Sequence, residues 1–144
     1  AAFLKEIGGF VAEHGARPGL AAEVKALGEA AAALQRAAGA LLEFFMGGKL
    51  DQVTMVANAF LEIVAEVTIA HLLLEAAAVA SAGHRADDDH EHGQEEFDFS
   101  RGKVMAAKHF VNYVLPGVHT KVGAIVGGDR SALDMPDGGF AAPR

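Results

Sequence analysis

Leu20, Val24, Leu27, Ala31, Leu34, Ala38, Leu41 and Phe45 step along the chain by alternating fours and threes. That spacing puts one apolar residue per turn on a single helical face. It is the seam that packs helices at a shallow crossing angle, knobs into holes. Alternating leucine with alanine lets a partner helix come close, and Gly47-Gly48 ends the run. A helix of ~27 residues follows, roughly 40 Å long. A chain that carries such a seam must supply other helices to cover it.

It does so three times. Phe3, Ile7 and Phe10 mark a first helix over Ala1–His14, weakened by Gly8-Gly9 and closed by Gly15 and Pro18-Gly19. Leu50, Val53, Ala57, Phe60, Val64, Val67, His71, Leu74 and Ala78 form a third seam. A fourth runs Val104, Ala107, Val111, Val114, Val118, Val122 and Ile125, from an N-cap expected at Asp98 or Ser100. Pro116 should bend that helix, because it lacks an N–H and its ring clashes with the carbonyl of Asn112. Short connections between long helices predict an all-α, antiparallel up-down four-helix bundle of long Ala-rich helices. The bundle should span 1–128, with a tail over 129–144.

The third helix differs from its neighbour. Met55, Val56, Leu61, Ile63, Ile69, Leu72 and Leu73 make it apolar on several faces, leaving a narrow polar stripe through Asp51, Asn58, Glu62 and Glu66. Such a helix is central in a bundle or covered by a second body. A membrane span is not expected, because Glu62, Glu66, His71 and Glu75 interrupt the apolar run.

Residues 83–96 hold no apolar side chain larger than alanine and carry −5 of the chain's net −7. They predict a flexible, solvated acidic and His-rich loop. The remainder is too nearly neutral for a nucleic-acid face. With no cysteine, disulfides and thiolate chemistry are excluded, which fits a cytoplasmic setting. The absence of an initiator Met suggests a piece of a longer polypeptide.

Candidate chemistry is sparse. His84, His90 and His92, among Asp87, Asp88, Asp89 and Glu91, have the residue types of a metal site, but fixed geometry is what confers affinity and a loop offers none. No metal site is therefore assigned. Glu62 and Glu66 lie one turn apart, yet no facing helix supplies the Glu-x-x-His of a bundle di-metal centre, so a polar stripe is the plainer reading. His71 on an apolar seam has no nucleophile or paired acid nearby, and a core or interface role is expected of it. Arg101, Lys103, Lys108 and Lys121 give the fourth helix a basic side suited to ion pairing. No catalytic or cofactor-binding residue is identified. Helix packing is assigned to Leu34, Leu41, Phe45, Phe60, Val64, Val67, His71, Val111 and Val114.

Three stretches together are familiar. Phe99-Ser-Arg-Gly-Lys-Val-Met-Ala-Ala-Lys-His-Phe, continuing through Val114-Leu115-Pro116, resembles a helix near the end of a subgroup of acyl-CoA dehydrogenases. Ser131-Ala-Leu-Asp-Met-Pro-Asp-Gly-Gly-Phe140 is similar to that subgroup's closing tail. The Ala/Leu helix ending at Leu41-Leu42 and the Asn58-Ala-Phe-Leu helix stand in the right order, so the resemblance covers nearly the whole chain. It implies a C-terminal helical domain, acting in domain packing, in oligomerisation or in covering the acyl-CoA site. FAD, the thioester substrate and the catalytic glutamate would belong to the preceding dehydrogenase domains, an oxidoreductase of fatty-acid metabolism. Its partners would be those domains or a second copy of itself. The loop at 83–96 departs from the pattern as a local insertion. Two rivals remain: a free-standing helical interaction module, and a small metal-binding bundle using His84, His90 and His92.

Overall fold

The computed structural model describes residues 2–82 and 91–140, without the side chains of 91–93. It consists of α1 (Ala2–His14), α2 (Ala21–Met46), α3 (Leu50–Ala82), α4 (Glu91–Tyr113), α5 (Gly117–Gly127) and a 3-10 turn at Asp137–Phe140. No strand occurs among the described residues.

The helix ends follow local chemistry. Gly48 takes φ 73°, which costs glycine nothing. There the N–H of Gly48 donates to the Phe45 carbonyl at 3.1 Å and that of Lys49 to the Phe44 carbonyl at 2.9 Å, satisfying carbonyls the helix leaves open. Pro116 does more than bend the fourth segment. It separates α4 from α5 and starts the second in right-handed helical geometry at φ −58°. Gly128, at φ 65°, caps α5.

The N-cap expected at Asp98 or Ser100 is not where α4 starts, which is Glu91. Within it Gln94 Nε2 donates to Asp98 Oδ1 at 3.2 Å. Of the stretch expected to be a flexible loop, 83–90 lie outside the described residues and 91–96 belong to this helix.

α2 packs on α1, α3 and α5, and α3 packs on α2, α4 and α5. The core joins Ile7 and Phe10 to Leu20, Val24, Leu27 and Leu34, to Ile63, Val67 and Leu74, and to Val111, Leu115, Val118, Val122 and Ile125. Ala30, Ala33, Ala37, Ala70, Ala77 and Ala107 are fully buried between them.

Leu34, Val67, His71 and Val111 are buried, while Leu41, Phe60, Val64 and Val114 are half-buried. Phe45, assigned to the packing face, is 58% exposed. Ala38 is exposed too, and Ala37 and Phe44 turn inward instead. A fixed heptad presumes one straight partner along the whole seam. Because Pro116 splits the covering helix, α2 meets α5 at its far end, where a Cβ on Gly128 would sit 3.6 Å from the Phe44 ring. The start of α3 shifts likewise: Leu50 is exposed and Gln52 is buried.

Candidate functional site

Glu62 and Glu66 of the α3 polar stripe share one cation. Lys121 of α5 donates to Glu66 Oε1 and lies 3.0 Å from Glu62 Oε2. Those contacts, with Glu66 foremost, raise the Lys121 pKa above its ordinary 10.5. The Lys121 ammonium thus sits between the two carboxylates.

His71 is 3% exposed. The Phe10 ring stands edge-on to it at 5.2 Å, and its Nε2 lies 3.5 Å from Glu75 Oε1. Buried against the Phe10 ring, it joins α1 to α3. On the basic side of α4, Lys108 pairs with Glu23 at 3.8 Å and Lys103 sits over the Phe99 ring at 4.8 Å.

His84 and His90 lie outside the described residues, as does the side chain of His92. Among the described residues, no group of three or more His, Asp or Glu is placed to hold a metal ion.

What remains is a surface. Leu61, Ala65, Ile69, Leu72 and Val79 are exposed along α3, with Leu72 at 56% and Val79 at 75%. Their spacing puts them on one stripe, opposite the buried Ile63, Val67, Ala70, Leu74 and Ala77. By length and composition α3 is apolar enough to cross a membrane, yet 39% of its most apolar window is buried in this packing. The core explains that inner part; among the described residues nothing covers Leu61, Ile69, Leu72 and Val79.

Carboxylates border the stripe. Glu62 and Glu66 stand on its α5 side. Glu75 stands on its α1 side, where Val79 opens onto a groove of about 660 Å³ also lined by Glu6, Phe10, Glu13, His14 and Arg17. Arg17 leans back onto His14 Nδ1 at 3.3 Å. α3 itself contains no Lys or Arg.

The tail returns over the start of α3. Arg130 bridges Asp51 at 3.1 Å and Asp134 at 3.2 Å. The Arg130 bond, with the Gln52 N–H, holds the Asp51 carboxyl below its ordinary value. Leu133, Met135 and Phe140 of the tail stay exposed.

Sequence reasoning found the apolar excess of α3 but did not mark Gln52 as buried. Gln52 Nε2 donates to the Gly128 carbonyl at 2.9 Å, and no periodicity announces a polar residue on a core face.

A family model described as acetyl-CoA dehydrogenase C-terminal like matches residues 3–136. No curated protein matches the chain.

Proposed function

Because the chain belongs to the acetyl-CoA dehydrogenase C-terminal-like family, we propose that it is the non-catalytic helical domain of an acyl-CoA dehydrogenase-like flavoprotein, docked through the outer face of α3. The observation that carries this is the exposed stripe Leu61, Ile69, Leu72 and Val79, an apolar surface of the kind that marks an interaction site.

In this reading FAD and the acyl-CoA chemistry belong to the preceding domains, and this domain secures packing or assembly around them. In this reading the domain itself holds no flavin dinucleotide. A groove beside α3 is rimmed by Glu6, Glu13 and Glu75, whose charge would repel a pyrophosphate. The reading also takes the helices as an antiparallel up-down bundle. Support for it comes from pairings that run in opposite order along α3 and α4–α5: Asp51 with Arg130, Gln52 with Gly128, Glu66 with Lys121, and Ser81 beside Arg101.

The test is to purify the native polypeptide from its source with an antibody raised to this chain. A band several times heavier than 14.9 kDa, carrying yellow flavin absorbance, is the expected result. A flavin-free band at the chain's own mass overturns it, and the free-standing interaction module takes its place.

A further inference from the structure

The stripe on α3 has a chemical signature at its borders, and we infer that its occupant is an amphipathic helix flanked by lysines or arginines. This rests on the domain reading above, in which the preceding domains supply that helix.

The stripe is helix-shaped. Ala65, Ile69, Leu72, Ala76 and Val79 repeat the alternating fours and threes of a seam, and a second helix is what such a seam receives. A second copy of α3 is disfavoured by charge. Glu62 stands on one side of the stripe and Glu75 on the other, with side chains 61% and 45% exposed. Any two-fold pairing of α3 with itself brings carboxylate borders against carboxylate borders, with no Lys or Arg in the helix to answer them. Beyond Glu75, α1 adds Glu6 and Glu13. The cations described nearby are outnumbered: Lys121 is shared by Glu62 and Glu66, and Arg17 stands with Glu6, Glu13 and Glu75 around the groove. Among the described residues the border is thus net negative, and complementary charge at an interface rim fixes the choice and register of a partner.

An anionic membrane surface is repelled by the same border, so a lipid occupant is the rival outcome and not the proposal.

The experiment uses the chain and two synthetic helical peptides that share a Leu/Ala seam, one flanked by Lys and one by Glu. Fluorescence anisotropy should show the Lys-flanked peptide binding at least ~10-fold tighter, with the preference shrinking as salt screens the borders. Leu72→Asp should weaken both peptides. Because Leu72 lies outside the core, circular dichroism should stay helical. Glu6→Lys together with Glu13→Lys should narrow the preference without touching the seam.

Equal binding of the two peptides overturns the inference, and so does binding of neither. Sedimentation of the unmodified chain as a dimer that Leu72→Asp dissolves overturns it in favour of a second copy. Co-sedimentation with phosphatidylcholine vesicles, lost in the same variant, overturns it in favour of lipid. A heavy flavin-bearing native band beside peptides that bind without charge preference removes this inference and leaves the domain reading standing. A light native band beside a clear preference for the Lys-flanked peptide does the reverse, keeping the basic helix but assigning it to a separate protein.

Discussion

α2 and α3 are joined by one tight turn and share a composition of Ala, Leu and Val, yet they treat solvent differently. Over most of its length α2 faces water with Lys25, Glu29, Gln35 and Arg36, and Lys25 and Glu29 form an i,i+4 pair at 3.7 Å. α3 shows water Leu61, Ala65, Ile69, Leu72 and Val79. Burying one such leucine or valine is worth about 1.5–3 kcal/mol. Inside the bundle α2 and α3 both collect that gain, but only α3 leaves as much again uncollected on its far side. The contrast fades at the end of α2, where Leu42, Phe45 and Met46 are exposed beside Leu50. A second group of exposed apolar side chains thus lies at the α2–α3 turn.

The largest test of this comparison sets inner against outer positions. Leu27→Ala in α2 and Leu74→Ala in α3, both fully buried, should each cost ~2–5 kcal/mol in urea unfolding. Leu72→Ala, one face away, should change stability by no more than ~0.5 kcal/mol. If Leu72→Ala matched Leu74→Ala, the outer face of α3 would be core after all.

Next comes the joint between α3 and α5. Gln52→Ala removes the bond to the Gly128 carbonyl and should cost about 1–3 kcal/mol by the same measurement. A smaller loss, roughly 1 kcal/mol, is expected for Gly48→Ala, which forces φ 73° on a residue with a Cβ; a lowered melting temperature would register it.

The smallest effects are electrostatic. Lys121 has its pKa raised in the folded state by Glu66 and Glu62. Its contribution is therefore fully present below the ordinary value of 10.5 and is lost as pH climbs through the raised one. Asp51, lowered chiefly by Arg130, behaves oppositely: its contribution holds above 3.8 and fades as pH falls through the lowered value. Lys121→Met should flatten the alkaline decline of melting temperature, and Arg130→Met the acid one.

Much of this fold was legible because two signals act locally. Gly47-Gly48 stops a helix wherever it stands, and Pro116 interrupts one by removing a donor. The Leu/Ala seam through Leu20–Leu34 survives because these residues all face the core. From Ala38 onward the reading slips by one residue. The partner changes there, and a seam encodes the periodicity of one helix without naming what lies across from it. Glu91 as the start of α4 was hidden by composition, since an acidic run suits a solvated loop and a helix N-terminus equally. Of the candidate site, the greasy character of α3 was legible. Which of its faces stays open was not, because that depends on where α1 and α5 come to rest.

One contact also dictates an order of assembly. Gln52 and Gly128 stand 76 positions apart, while the α2–α3 hairpin closes over a few residues. Local closure is fast and distant closure slow. During synthesis the hairpin can zip while α5 is still in the ribosome, its base gaping at Phe44 and Gln52. Only when the Gly128 carbonyl emerges can that base be sealed.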